Sequence, residues 1–304
     1  MGTWGQIGAA LALFVVIAWA GLYIGRRLSK PSREHTVSGF NRLKQCRHGM
    51  MLYNIHDAYV GRSLDQYGEF SEGEVDLLRQ FVKPGHVILD VGANIGAHTV
   101  WMAQAVGATG IVLAFEPQRI VYQTLCANLA LNSITNVHCF HAAVGKAPGQ
   151  IIVPPLDYSR TNNFGGLELG GYRHGEMVPT LNIDGLNLPK CDLLKIDVEG
   201  MEQEVLQGAV QVIAARSPTL YVENDRKEKA TSLIRFIDDL GYNMYWHTPA
   251  LYNPNNFTGN SQNVFGRVVS MNMLCLPKTR TQQVAWLHAV AVPAVGAEAE
   301  GLPQ

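Results

Sequence analysis

The chain has 304 residues, of which 47% are hydrophobic and 16% charged, and its formal net charge is −1. This length allows one large domain or two small ones with a well-buried core, and the near-neutral charge does not favour a nucleic-acid partner. Five scattered cysteines without a C-x-x-C pair indicate reduced thiols in a cytosolic compartment, not a disulfide framework or a zinc site.

The N-terminal segment, residues 1–25, is predicted to anchor the chain in a membrane. Residues 2–25 carry no charged side chain, and a helix needs about 20 such residues to cross a hydrocarbon core of about 30 Å. A signal peptide would have a basic start and a shorter apolar run, and a buried core helix would rarely stay uncharged for so long. Basic side chains follow at once: Arg26, Arg27, Lys30 and Arg33. The positive-inside rule therefore predicts a single pass with the N-terminus outside and the rest of the chain in the cytoplasm, beginning with a basic juxtamembrane linker at 26–49.

Residues 50–280 are predicted to form one globular domain. A capping box at Ser71–Glu74 precedes a helix. Apolar runs predict strands at 86–90, 111–115, 137–141, 193–197, 219–223 and 242–246, and helical spacing predicts helices at 95–106, 119–132, 199–214 and 228–240. This alternation predicts an α/β fold with a doubly wound, mostly parallel, Rossmann-like sheet, which 269–277 could close as an edge strand.

Two segments break this rhythm. Residues 145–190 are rich in Gly, Pro and Asn and are interpreted as an irregular insertion or cover over the active site. Within it, four polar side chains could either recognise a substrate or simply form solvated turns: Tyr158, Arg160, Asn162 and Asn163. Residues 281–304 show no turn pattern and are predicted to be a flexible tail.

The stretch VILDVGANIGAHT, residues 87–99, reads as a strand, a tight turn and a helix start. Asp90 and Glu116 each end a predicted strand, where an open α/β sheet binds its ligand, and an acid after the second strand can accept hydrogen bonds from ribose hydroxyls. The G-x-G-x-x-G dinucleotide fingerprint is incomplete, because residue 97 is alanine. No G-x-x-x-x-G-K-[ST] phosphate loop is present, which argues against an NTPase.

Three motifs, DVGANIG (90–96), AFEP (114–117) and LKIDVEGME (194–202), follow in this order. Together they resemble the FkbM-type family of S-adenosylmethionine-dependent methyltransferases over roughly residues 50–277. The resemblance implies S-adenosyl-L-methionine as cofactor and O-methylation of a sugar, glycan or other metabolite. It also implies a turn around the methionine part of the cofactor formed by Asp90, Gly92, Asn94 and Gly96. Glu116 would hold the ribose hydroxyls, Pro117 would shape that turn, and His141 and Ala142 would border the adenine.

Methyl transfer to a hydroxyl needs a group that removes a proton. Asp197, Glu199 and Glu223 lie at or near the ends of the fourth and fifth parallel strands and are the predicted catalytic residues. Glu199 and Glu202 could instead stabilise the start of the following helix through its dipole. His56, Asp57 and His247 are alternative bases, although a structural role is the more common one for such side chains. Paired acids could hold a divalent ion, but no histidine joins them in sequence, so no metal site is predicted.

The sequence thus predicts a membrane-anchored methyltransferase whose partners are the membrane and a small-molecule, glycan or lipid-linked acceptor, without nucleic acid. The acceptor and the oligomeric state are not indicated. One alternative is a nicotinamide-dependent oxidoreductase, which the incomplete fingerprint and the LKIDVEG motif disfavour. Another is a non-enzymatic, membrane-tethered binding module, which the acids Asp90, Glu116 and Asp197 disfavour.

Overall fold

The computed structural model describes residues 35–36, 39–281, 284 and 286–294. The predicted anchor at 1–25 lies outside these residues. None of the helices in the described ranges is long and apolar enough to cross a membrane.

The globular fold begins earlier than residue 50. Strands β1 (His35–Thr36), β2 (Asn41–Cys46) and β3 (Gly49–Asn54) form an antiparallel sheet, and α1 (Val60–Tyr67) follows it. The prediction of a linker over 26–49 is therefore wrong for the described part of that segment. Its basic side chains have partners on the neighbouring helix, because Arg42 forms an ion pair with Asp65 and Lys44 donates to the carbonyl of the same residue.

The helix α2 (Glu72–Leu78) precedes the central sheet in the chain, and the described residues contribute eight strands to that sheet. They are β4 (Val87–Val91), β5 (Ile111–Phe115), β6 (Val137–Phe140), β10 (Leu193–Ile196), β11 (Thr219–Glu223), β12 (Tyr242–His247), β13 (Asn272–Pro277) and β14 (His288–Ala289). Their order in the sheet is β14-β12-β13-β11-β10-β4-β5-β6. The helices between them are α3 (Ala97–Val106), α4 (Arg119–Leu131), α5 (Glu202–Gln207), α6 (Val210–Arg216) and α7 (Lys227–Asp239). The strands β6, β5, β4, β10 and β11 are parallel, which confirms the predicted mostly parallel, doubly wound sheet.

Helices cover both faces of this sheet, so strand residues alternate between two cores. Leu89 and Val91 pack in the core that α5, α6 and α7 cover, whereas Ile88 packs with α2 and α3. The same alternation puts Asp90 on the α2 and α3 face. A charged side chain is thus buried on this face, because Asp90 is 1% exposed.

Three predictions about individual elements need correction. The strand within 269–277 is not at the edge, because β13 lies between β11 and β12 and pairs with both in antiparallel fashion. The predicted tail over 281–304 is not loose in its described part, since β14 pairs with β12 and Val290 is buried. The helix predicted over 199–214 is divided in two at Gly208, where a Cβ atom would lie 2.2 Å from the carbonyl oxygen of Gly145.

The predicted insertion at 145–190 is partly regular. β7 (Ala143–Val144), β8 (Gly149–Val153) and β9 (Glu176–Leu181) form a small second sheet, and a single 3₁₀ turn follows at Asp184–Leu186. The irregular cover is therefore the shorter segment 154–175.

Strand order reverses between β4 and β10, because the chain leaves β4 toward β5 and β6 and returns on the other side. The crevice beyond such a reversal is where open α/β sheets bind ligands.

Candidate active site

The turn after β4 has the tight backbone that the sequence predicted. Gly92, Asn94 and Gly96 all have positive φ angles, of 84°, 50° and 85°. A Cβ atom on Gly92 would lie 1.7 Å from the carbonyl oxygen of Asp197, so only glycine fits between the ends of β4 and β10. Asn94 is a residue type that tolerates the left-handed region, which explains asparagine at this position. Gly96 precedes α3, so the turn leads directly into that helix.

Glu116 joins this turn to the end of β5. Its carboxylate accepts hydrogen bonds from the backbone N–H groups of Asn94 (3.0 Å) and Gln118 (2.8 Å). The side chain is only 4% exposed, and burial raises the pKa of Glu116 to about 7 against the opposing effect of the two N–H donors. Each carboxylate oxygen still has a free lone pair, so the group can accept two further hydrogen bonds.

A narrow cleft lies beside Glu116, between the residues that follow β5 and those that follow β10. Its walls are mostly apolar and include Phe115, Pro117, Ala142, Val144, Leu167, Leu169 and Met201. Of the two residues predicted to border the adenine, Ala142 lines the cleft. His141 is instead held against α4, where its ring stacks on Tyr122 and its Nε2 atom lies 3.0 Å from the carbonyl oxygen of Pro117.

The irregular cover closes over this cleft. Gln118 donates a hydrogen bond to the carbonyl of Phe164 (2.7 Å), and the ring of Phe164 stacks on Tyr158. A Cβ atom on Gly165 would lie 2.5 Å from the side chain of Asn94, so the cover contacts the turn after β4 directly. The segment therefore belongs to the site, and its contacts are made by Phe164 and Gly165, which sequence reasoning did not select.

The four polar residues predicted to recognise the acceptor have different environments. Asn163 lines the large cavity described below. The backbone of Asn162 pairs with that of Asp57 and accepts a hydrogen bond from the N–H of Ala58. Tyr158 packs against Phe164, whereas Arg160 is largely exposed and pairs with Asp157.

Asp90 lies behind the turn instead of at the surface of the cleft. It is 1% exposed, accepts a hydrogen bond from Thr99 on α3 (2.6 Å), and faces Lys195 at 3.8 Å. Asp90 and Lys195 are paired in the register of β4 and β10. Lys195 also donates to Asp197 at 3.0 Å, so one buried ammonium group connects the cofactor turn with the predicted catalytic acids. The two carboxylates favour its charged form, and the pKa of Lys195 is raised despite burial. Lys195 was not selected from the sequence.

The three predicted catalytic residues lie together. Asp197, Glu199 and Glu223 each place a carboxylate oxygen within 4.8 Å of the other two. They line a cavity of about 500 Å³ whose wall also includes Glu74, Asn94, Asn163, Asp225, Arg226, Ser270 and Asn272. Three residues, Gly92, Gly165 and Glu199, line both this cavity and the apolar cleft, so the two spaces meet at the turn after β4.

The carboxylates of this cluster have different surroundings. Burial and the neighbouring Asp197 carboxylate raise the pKa of Glu199 to about 8, although Arg226 contacts it and opposes that shift. Burial and the same neighbour raise the pKa of Glu223 well above its usual value. Asp197 is the most accessible of the three, with 35% of its side chain exposed, and Lys195 compensates its charge. Asp197 therefore differs from the other two acids in having the buried ammonium group of Lys195 as its partner.

The other acids and histidines have structural partners. Glu202 accepts hydrogen bonds from the N–H groups of Val198 and Gly200, as expected for an acid at the start of a helix. His247 is bonded to the hydroxyl of Tyr221 (2.8 Å), and burial lowers the pKa of His247. Asp57 accepts a hydrogen bond from the N–H of Tyr59 at the start of α1, and burial raises the pKa of Asp57.

These residues fit S-adenosylmethionine. The glycine turn permits close approach of a ligand to the backbone. The carboxylate of Glu116 retains acceptor capacity for hydroxyl groups, and the apolar cleft beyond it suits a flat aromatic ring. The cavity beside the turn provides space for a second substrate.

Proteins of similar sequence are methyltransferases by name, in agreement with this interpretation of the site. Methyltransferase sdnD of Sordaria araneosa is 29% identical over 157 residues, which are 40% of this chain and 59% of that protein. Hexuronic acid methyltransferase AglP of Haloferax volcanii is 29% identical over 160 residues, covering 46% of this chain and 58% of that protein. The chain thus spans under two thirds of the length of these relatives.

A solved structure, methyltransferase FkbM from Methylobacillus flagellatus KT, is 17% identical. The match covers 62% of this chain and 43% of that one, with a TM-score of 0.44. The sequence profile of the methyltransferase FkbM domain matches residues 90–244, just over half of the chain. The chain therefore belongs to the FkbM family of methyltransferases, and its cofactor is S-adenosylmethionine.

Proposed function

We propose that this chain transfers the methyl group of S-adenosylmethionine to a hydroxyl group of a sugar, a glycan or another small metabolite. The observation that carries the proposal is the junction of the two spaces, where Gly92, Gly165 and Glu199 line both the apolar cleft and the acidic cavity. A cofactor in the cleft and an acceptor in the cavity would meet at this junction, next to the carboxylates.

The cofactor-binding residues are assigned from their positions. Gly92 and Asn94 would contact the methionine part of the cofactor. Asp90 would support the turn from its buried side, and Gly96 would lead the turn into α3. Glu116 would accept hydrogen bonds from the ribose hydroxyls, and Pro117 and Ala142 would contact the adenine. His141 would support Pro117 through its hydrogen bond to that residue's carbonyl.

Asp197 is the proposed general base. S-adenosylmethionine, when bound, supplies an electrophilic methyl group. An acceptor hydroxyl in the cavity would donate a hydrogen bond to the carboxylate of Asp197 and lose its proton to it. Lys195 donates a hydrogen bond to that carboxylate at 3.0 Å and thereby orients it. The polar side chains of Asn163, Ser270 and Asn272 offer donors and acceptors to further hydroxyls, which supports a carbohydrate acceptor.

One relative bears on the acceptor class, and only through its name. It is named a hexuronic acid methyltransferase, which supports a sugar-like acceptor here as well. The family membership weighs against the nicotinamide-dependent oxidoreductase considered from the sequence.

The test is transfer of an isotope-labelled methyl group to a panel of monosaccharides, glycans and lipid-linked sugars. We expect a product whose label resists alkali, as an ether does, with a new O-methyl signal in its NMR spectrum. Asp197→Asn should retain S-adenosylhomocysteine binding and lose transfer. Label on nitrogen would contradict O-methylation. Tight S-adenosylhomocysteine binding without transfer to any acceptor would favour the binding module.

We further propose that residues 1–25 anchor the enzyme in a membrane and that the catalytic domain lies on the cytoplasmic side. The uncharged run and the basic residues after it support this proposal. Residues 256–258, Asn-Phe-Thr, match the N-x-[ST] acceptor sequence for glycosylation, but this site is a poor reporter of topology. Asn256 is 6% exposed, and its amide group donates to the carbonyls of Asn253 and Asn260. A C-terminal enzymatic reporter is therefore the suitable probe.

A further inference from the structure

We propose that Asp197, Glu199 and Glu223 bind a divalent cation of the oxygen-preferring class, such as Mg²⁺ or Mn²⁺, in the acidic cavity. The sequence argued against a metal because no histidine lies near these acids. The structure brings together three carboxylates from the ends of two neighbouring strands, with one oxygen of each within 4.8 Å of the others. For metal–oxygen distances of about 2.1–2.4 Å, two ligand oxygens lie about 3–4.8 Å apart. The observed spacing is within that range.

The cavity has more acidic than basic groups. Five carboxylates line it: Glu74, Asp197, Glu199, Glu223 and Asp225. Among the described residues, the cations in direct contact with these acids are Lys195, which bonds Asp197, and Arg226, which contacts Glu199 and Asp225. Two positive groups thus oppose five carboxyl groups. If all five were ionised, three negative charges would remain, and a bound divalent cation would offset two of them.

An independent observation comes from Glu74 on α2. This side chain is 3% exposed and lines the same cavity, and Ser71 donates to its Oε1 atom. Its Oε2 atom is buried without a hydrogen-bond partner in the part of the chain that the structure describes, and so is Oε2 of Glu223. A buried carboxylate oxygen without a partner is costly. Two such oxygens around one acidic cavity point to a positively charged ligand.

The donor set indicates which cation would bind. All three candidate ligands are carboxylates, which suit Mg²⁺, Mn²⁺ and Ca²⁺, whereas zinc sites usually include histidine or cysteine. Three protein ligands leave further positions for water and for an oxygen of the acceptor. Arg226 contacts Oε2 of Glu199, which leaves the other oxygen of that carboxylate available.

The role of the ion rests on the proposed function. A cation held at the junction of cleft and cavity would bind the acceptor hydroxyl and lower its pKa, so that Asp197 or solvent could remove the proton. The ion would also fix the hydroxyl oxygen at the place where the methyl group arrives. Metal binding itself can be measured without any acceptor.

The experiment is a titration of the full-length protein, in detergent micelles, with Mn²⁺, in which electron paramagnetic resonance reports the free ion. We expect one bound Mn²⁺ per chain, displaced by excess Mg²⁺. Glu223→Gln should weaken Mn²⁺ binding by about 100-fold, because even the loss of a group that only orients a ligand costs 10–100-fold. The matched control, Glu176→Gln, removes a carboxylate that is half-exposed and bonded to Arg119, and it should bind Mn²⁺ as the unmodified chain does.

S-adenosylhomocysteine binding is measured on the same samples and separates the possible failures. No Mn²⁺ binding by a protein that binds S-adenosylhomocysteine would overturn the metal site and leave the proposed function in place. Unchanged Mn²⁺ binding in both Glu223→Gln and Asp197→Asn would also overturn it. Mn²⁺ binding that depends on these acids, in a protein that binds no S-adenosylhomocysteine, would support the site and contradict the proposed function.

Discussion

We expect the affinity for S-adenosylhomocysteine to rise with pH between 6 and 8, because Glu116 changes its charge in this range. Its two oxygens already accept the N–H groups of Asn94 and Gln118. The ionised carboxylate can accept two ribose hydroxyls with its remaining lone pairs. The protonated group has to use one oxygen as a donor, which opposes that arrangement.

The size of the effect follows from the pKa of Glu116, which burial raises to about 7. With this pKa, about 90% of the groups are ionised at pH 8 and about 10% at pH 6. If only the ionised form binds fully, the dissociation constant should increase about tenfold from pH 8 to pH 6, or about 1.4 kcal/mol. Without ligand, pH acts on the stability of the fold in the opposite direction, so that the contribution of Glu116 falls as pH rises. Because the pKa is higher in the folded chain, Glu116 stabilises the fold below its unfolded pKa, and this contribution is lost as pH rises through about 7.

Isothermal titration calorimetry at pH 6, 7 and 8 would measure this dependence. Glu116→Gln keeps the shape but cannot ionise, so it should bind more weakly at pH 8 and show a smaller change with pH. Because titration of the ligand itself is present in both proteins, the difference between them isolates Glu116. Equal pH slopes for the two proteins would refute the reasoning. Equal affinities at pH 8 would remove Glu116 from the binding site.

Four further predictions concern three substitutions and one deletion. Asp197→Asn should lower kcat by about 10²–10⁴-fold with little change in S-adenosylhomocysteine affinity, since a positioned base contributes about that much; unchanged steady-state kinetics would move the base to another acid. Gly92→Ala should destabilise the protein in urea by at least about 1–3 kcal/mol more than Gly107→Ala, because both glycines have positive φ but only the first Cβ meets backbone. Lys195→Met should cost about 3–5 kcal/mol of unfolding free energy at pH 7, because it leaves the buried Asp90 carboxylate without its cation; a small loss would contradict this pairing of Asp90 with Lys195. Deletion of residues 1–28 should release the enzyme from membranes with cofactor binding intact, as fractionation and calorimetry would show, and continued membrane association would contradict the anchor.

The centre of the fold could be predicted because its strands are short apolar runs that end in turn residues. Asp90, Glu116 and Asp197 could be placed at strand ends for the same reason, and parallel strands bring those ends to one edge. The peripheral strands were harder to predict. The strand β2 contains Arg42 and Lys44, whose charges resemble those of a linker until their partners on α1 are known.

Register and side-chain partners depend on tertiary structure, which the sequence pattern does not encode. Lys195 appears in the LKID motif as one basic residue in an apolar strand. Its partner can be identified only in the fold, where β10 pairs with β4 and places Lys195 beside Asp90. In the same way His141 seemed placed to touch the cofactor, but stacking on Tyr122 directs its ring toward α4.

The proposed cation site shows most clearly how closeness in sequence differs from closeness in the fold. A motif search tests whether suitable ligands are close in sequence, and by that test no histidine joined Asp197 and Glu199. In the fold, β11 carries Glu223 alongside them, and α2 brings Glu74 from a distant part of the chain to the same cavity. The positions of acids at strand ends were therefore predictable. Their charge states were not, because burial and the summed effect of neighbouring carboxylates determine how many can be ionised without a cation.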